Sequence, residues 1–262
     1  MWSGIMSVNV VYVHLETVSN LILSYGISLQ DFAGALQRVP HHLLLLTPVD
    51  LDDDVDPHTG FNVISGAPAI AAYFTDPHLT THKWIDFAHE LYLDQVTPNE
   101  VAQLLYLGHA YIHLESPFYY KLQNDYVYLD LPDGTVKTYY RHLPQFYAVL
   151  NRSLKRHLQE KYPDMRFLFR RRSMIQDIDP VILQQLQPLF IDGALFSFED
   201  IDSRQKEIHI PILSLNSRFK LVNDDWHSAD QERVAELIYD HGIKKWRLNV
   251  INEAAFANQG LL

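Results

Sequence analysis

The stretch that most restricts what this chain can fold into is Tyr126-Val-Tyr-Leu-Asp-Leu-Pro-Asp-Gly-Thr-Val-Lys-Thr-Tyr-Tyr-Arg141. Asp133-Gly134 lies between two runs rich in Val, Leu and Tyr, and a tight turn with positive φ at both central residues favours that dipeptide, so the segment predicts a β-hairpin. A three-residue loop, Pro132-Asp133-Gly134, is chemically allowed as well. With Asp-Gly alone as the turn, Leu131 faces Val136, Leu129 faces Thr138 and Val127 faces Tyr140, giving one mostly apolar face. The other face then pairs Asp130 with Lys137, Tyr128 with Tyr139 and Tyr126 with Arg141. Opposite charges, paired rings and a cation over a ring are each favourable across strands. The longer loop would scramble both faces, so the two-residue register is the expected one.

The apolar face is then core, and the tyrosine face is either covered by a helix or offered to a partner. Rigid rings beside a guanidinium bury area with little loss of rotamer freedom, which suits a recognition surface. Tyr126, Tyr128, Tyr139 and Arg141 are therefore the candidate binding surface, with Phe118, Tyr119, Tyr120 and His142 nearby in sequence.

Around the hairpin the reading is mainly helical. Thr97-Pro-Asn-Glu100 combines an N-cap hydroxyl, a proline where no N–H is needed and a glutamate that can reach back to the cap, so it opens a helix to about His113. Ser28-Leu-Gln-Asp31 opens another through about Arg38, and Pro144 a third to about Lys161. Helices are also expected from Ser65 and over His82 to Gln95, with a strand over Val8 to Val13. Lys161-Tyr-Pro-Asp164, a helix end followed by a proline, is the expected domain boundary. Beyond it, strands at Met165 to Arg170, Ala194 to Phe198, Glu207 to Leu215 and Lys245 to Ile251 alternate with helices at Pro180 to Gln187 and Ser228 to Asp240. That βαββαβ order is the ferredoxin-like one. The expected fold is thus α+β, with a mainly helical domain over 1–161 carrying the hairpin at 126–141, a ferredoxin-like domain over 165–252 and a tail over 253–262.

For chemistry, the sharpest pattern is His109-Ala-Tyr-Ile-His113-Leu-Glu115. Two imidazoles at i and i+4 share a helix face, and Glu115 could complete a three-ligand open Zn²⁺ site for metal-assisted hydrolysis. The chain has 14 histidines, so one such pair arises readily without a metal. His78 and His82 repeat the spacing. Asp52, Asp54 and Asp56 offer oxygens at alternate positions, as a Ca²⁺ loop does, but the glycine and glutamate of an EF-hand are replaced by Pro57 and Val63. A solvated acidic loop is the plainer reading.

Tyr25 to Leu46 superficially resembles a helix-turn-helix, yet His41-His-Leu-Leu-Leu-Leu46 lacks the polar and basic side chains that read a major groove. The net charge of −11 also opposes nucleic acid. Eight Lys/Arg against two acids between Arg152 and Arg172 form a local exception, and such a run more commonly marks a solvated helix face. No cysteine is present, which excludes disulfides and thiolate ligands. No apolar run is long enough to span a bilayer and no secretory signal is evident, so the default location is cytoplasmic.

Nucleotide-loop, zinc-protease and nucleophile-elbow motifs are missing from the sequence. The expectation is therefore a non-catalytic binding or regulatory module that uses the tyrosine face. Its partner would be a protein or small-molecule ligand, not a membrane, and it would need no cofactor. The alternatives are a divalent-metal hydrolase on His109, His113 and Glu115, and a helix-turn-helix regulator.

Overall fold

The computed structural model describes residues 9–47, 55–109, 118–162, 175–204, 206–215 and 232–257. Among them are twelve strands, β1 (Val10–Glu16), β2 (Leu21–Tyr25), β3 (His42–Leu45), β4 (Asn62–Ser65), β5 (Lys83–Phe87), β6 (Tyr126–Asp130), β7 (Val136–Tyr140), β8 (Ala194–Ser197), β9 (Asp202–Arg204), β10 (Glu207–Ser214), β11 (Arg233–Asp240) and β12 (Lys245–Val250). The described helices are α1 (Leu29–Ala35), α2 (Ala67–Thr75), α3 (Pro98–His109), α4 (Pro144–Lys161), α5 (Pro180–Gln185), α6 (Gln187–Asp192) and α7 (Ala254–Ala257), with a 3₁₀ turn over Glu90–Gln95.

This is a twelve-stranded antiparallel sheet protein, which corrects the expectation of a helical domain followed by a ferredoxin-like one. Two segments where a helix was expected illustrate the difference. Lys83–Phe87 is a strand whose five residues are all buried, not the start of a helix. Arg233–Asp240 is also a strand, paired with β10 on one side and β12 on the other. Its Ala, Glu and Leu suit a helix, but a central position between two strands satisfies its backbone on both edges, and that tertiary gain outweighs weak local preference.

Compactness divides the chain into two units. The first takes 1–15, 24–31 and 147–262, and the second takes 16–23 and 32–146. Residues on both sides of Lys161 therefore belong to the same unit.

In the first unit the strand order is β12-β11-β10-β8-β1, with β9 on β10. Strand β10 shows why it is central: Ile208, Ile210 and Ile212 alternate onto one buried face at 1% exposure or less, the period of two that a strand imposes. Pro211 falls between the residues that pair β9 and those that pair β8, where a missing N–H is tolerated.

In the second unit the order is β2-β7-β6-β5-β3-β4. One sheet face carries a core of Leu44, Ile85, Phe87, Val127, Leu129 and Tyr139 under Leu104 and Leu107 of α3. Helix α3 starts as its cap predicts: Thr97 N donates to Glu100 Oε2 at 2.7 Å, and Glu100 N reaches Thr97 Oγ1 at 3.4 Å. The opposite face is aromatic, with Phe32 centred on Trp84, Tyr126, Tyr128 and Tyr140 at 5.3 to 6.0 Å between rings.

Candidate functional site

The hairpin loop decides where the tyrosines go. Gly134 N donates to Leu131 O at 3.1 Å and Leu131 N to Thr135 O at 2.9 Å, while Gly134 has φ +79°. This is the three-residue loop Pro132-Asp133-Gly134: proline presets the first turn position and glycine takes the left-handed one. Asp133 Oδ1 fastens it by accepting from Thr135 N at 3.0 Å. Tyr126 therefore pairs with Tyr140 and Tyr128 with Thr138, while Tyr139 pairs with Val127.

A one-residue slip sends Tyr139 to the opposite face from Tyr126 and Tyr128. All three are core, at 1%, 2% and 3% exposure respectively. Tyr128 stacks on Trp84 at 5.6 Å and 7°, and Tyr139 meets Phe118 edge-on. The tyrosine face is thus covered, and it is no contact surface in this structure. Burial, the leading cause for both, pushes the Tyr126 and Tyr139 phenols up to about 12.

At the start of β6 the aromatic core opens into a cleft of about 550 Å³. One wall is the segment Arg38-Val-Pro-His41, and the other is made by Asp86, Phe87, Ala88, Gln123, Asp125 and Tyr126. Asp86, 6% exposed, fixes the floor. Its Oδ1 accepts from Asp125 N at 2.9 Å and Tyr126 N at 2.6 Å, so one side chain holds the entry of β6 against β5. Burial pushes its carboxyl up to about 7, against the lowering by those N–H groups and with Asp125 adding to the rise. Gln123, at φ +51°, turns the chain into this position, and Asn124 Oδ1 secures the turn by accepting from Tyr119 N at 2.9 Å.

Asp125 is the half-buried counterpart. Its oxygens lie 3.7 Å from Arg38 Nη1 and 3.9 Å from Arg141 Nη1. Both distances exceed the roughly 2.7–2.9 Å of a tight charge-assisted hydrogen bond. Arg141 instead donates to Gln123 O at 3.4 Å. The Tyr126 phenol feels Asp125, Asp86 and Arg38 together, which places these charges around one ring. Of the four residues expected to form a surface, only Tyr126 lines this cleft; Arg141 touches it indirectly, through Asp125 and Gln123 O.

A second hollow of about 440 Å³ lies between Thr80, Thr81, Lys83, Asp130 and the hairpin loop. Lys83, 9% exposed, donates to Gly108 O at 2.7 Å, a cation at the carbonyl end of α3. Burial lowers the Lys83 ammonium and raises Asp130 to about 6. His82 N donates to Asp130 Oδ2 at 2.6 Å, so the group also ties β5 to β6.

The metal patterns fare differently. His109 is exposed, with Nδ1 2.8 Å from Leu105 O, while His113 and Glu115 lie outside the described residues. Asp52 and Asp54 also lie outside them. Asp56 Oδ2 accepts from Thr59 N at 2.7 Å and is occupied with its own turn. Among the described residues no group of three or more His, Cys, Asp or Glu could hold a metal ion. The helix-turn-helix reading is corrected: α1 is followed by strand β3 at His42–Leu45, where a recognition helix would be needed. Among the described residues no helix is long and apolar enough to cross a membrane.

No protein-family model matches the chain, and neither a curated protein nor a solved structure gives a match.

Proposed function

We propose that this protein is a non-catalytic binding module for a small-molecule ligand, and that the ligand occupies the cleft between Arg38–His41 and Asp86–Tyr126. The observation that carries the reading is Asp125. Its carboxylate lines a concave site, accepts no hydrogen bond among the described residues, and has only two loosely placed arginines near it. A concave site with apolar walls and a few convergent polar groups is the usual form of a small-molecule pocket. Its exposed apolar lining is Val39 and Ala88, with the buried Pro40, Phe87 and Tyr126 behind them. The floor is rigid because Asp86 ties two strands together. The net charge of −11 speaks against nucleic acid as the partner.

A fragment screen followed by amide chemical shifts tests this reading. Bound fragments are expected to perturb amides at 38–41, 86–88 and 123–126, and Asp125→Asn should weaken them. Perturbations concentrated anywhere else, or fragments indifferent to Asp125, would sink the proposal.

A further inference from the structure

We propose that the cleft selects a small zwitterion of the α-amino-acid type with an apolar or aromatic side chain, its ammonium on Asp125 and its carboxylate on Arg38. This rests on the reading of the cleft as a ligand site and specifies what that site takes.

The argument begins with the ion pair already there. Arg38 and Asp125 stand 3.7 Å apart, and the Arg38 side chain is 73% exposed. A pair so long and so solvated contributes little, so opening it costs little. The cleft therefore carries opposite charges held only by one long, solvated pair.

A ligand bearing only a cation would satisfy Asp125 but sit against Arg38. A ligand bearing only an anion would satisfy Arg38 but crowd Asp125. A molecule with both charges on neighbouring atoms converts one loose pair into two short charge-assisted ones. His41 lines the same cleft as Arg38. Asp86 does not compete for the ammonium, because its acceptors are committed to the backbone of Asp125 and Tyr126.

The rest of the lining sets the side chain. Val39 and Ala88 expose apolar surface in the lining, backed by the buried Pro40, Phe87 and Tyr126, and a cleft of about 550 Å³ accommodates an aromatic amino acid. Val39 is 52% exposed, an apolar residue left at the mouth for a ligand to cover.

Calorimetry on the full chain with three related probes, L-phenylalanine, phenethylamine and 3-phenylpropionate, separates the outcomes. Phenylalanine is expected to bind at least about ten-fold more tightly than either singly charged probe. Asp125→Asn should weaken phenylalanine and phenethylamine while sparing 3-phenylpropionate, and Arg38→Ala should do the reverse for the two monopolar probes. Unchanged melting temperatures of the free variants would confirm that both remain folded. If a singly charged probe binds the cleft as tightly as phenylalanine, the two-ended recognition is wrong and the cleft remains a ligand site. If no probe binds and no fragment perturbs the cleft amides, both readings fall.

Discussion

The two units of this molecule bury acidic groups in opposite ways. In the first, Asp31 is 2% exposed and meets a guanidinium: Arg156 Nε lies 3.0 Å from each oxygen and Nη2 2.8 Å from Oδ2. Burial alone would raise this carboxyl, but Arg156 and the Ser28 N–H together hold it below its ordinary 3.8. In the second unit Asp86 is almost as deeply buried, yet its partners are backbone N–H groups, and it is pushed up to about 7. Both carboxyls are hydrogen-bonded. What differs is whether the donor brings a full charge: at Asp31 it does and offsets the loss of hydration, whereas at Asp86 the backbone N–H groups alone do not.

The same contrast runs further. Lys155 holds Asp177 down, and Arg247 holds Glu207 down, both in the first unit. Asp130 of the second unit is raised to about 6 by burial. Glu100 shows that the partner decides and not the unit. It lies in the second, but Lys121 and the Thr97 cap bring it down to about 2.

The largest expected effect concerns the second unit's aromatic core. Tyr128→Ser or Tyr139→Ser should each cost about 3–5 kcal/mol, the range for truncating a buried aromatic, measured by denaturant melts. Near-neutral substitutions would mean that the tyrosines face solvent after all.

Arg156→Ala comes next, since it leaves Asp31 buried without its cation at a cost of about 3 kcal/mol. Amide exchange in α1 and the middle of α4 should accelerate, and the variant should recover stability on acidification, as Asp31 becomes protonated. Continued loss of stability toward low pH would argue that Asp31 is not held ionised.

Asp86→Ala should then cost about 1–3 kcal/mol by stranding two buried donors, whereas Asp86→Asn keeps an acceptor and should lose less. The pH sign follows from the raised value. The folded state keeps Asp86 protonated while the unfolded chain ionises near 3.8, so its contribution is full below about 4 and is lost as pH rises toward 7. Asp31 has the opposite sign: its contribution is present above 3.8 and lost as pH falls. Burial lowers His42 and His82, which act against Asp86 in the second unit, so the comparison is wild type with Asp86→Asn. Exchange protection over 83–87 should depend less on pH in the variant.

The smallest effect is at Lys121. Lys121→Gln should let Glu100 titrate well above about 2 with little change in stability, because that pair is partly exposed. Carboxyl NMR would detect it.

Local rules made some of this structure legible. The capping boxes at Ser28–Asp31 and Thr97–Glu100 form as the sequence predicts, with Ser28 N donating to Asp31 Oδ2 at 3.0 Å. The hairpin was visible but its register was not, because Asp133-Gly134 serves both loops and cross-strand pairing was a weaker guide than the proline before it. Lys83–Phe87 and Arg233–Asp240 depart from the helices expected there because a helical stripe and a buried strand look alike over a short apolar run. The cleft left no local trace. Arg38, Asp86 and Asp125 are far apart in the chain, and only the pairing of β5 with β6 brings the last two together.

The most direct test of the contrast is a residue-resolved carboxyl ¹³C titration of the aspartates, assigned with Asp31→Asn and Asp86→Asn. Asp86 should titrate near 7 and Asp31 below 3.8 in the same folded protein. Two midpoints together near 4 would contradict the account, since the two carboxyls would then not be distinguished by the charge of their partners.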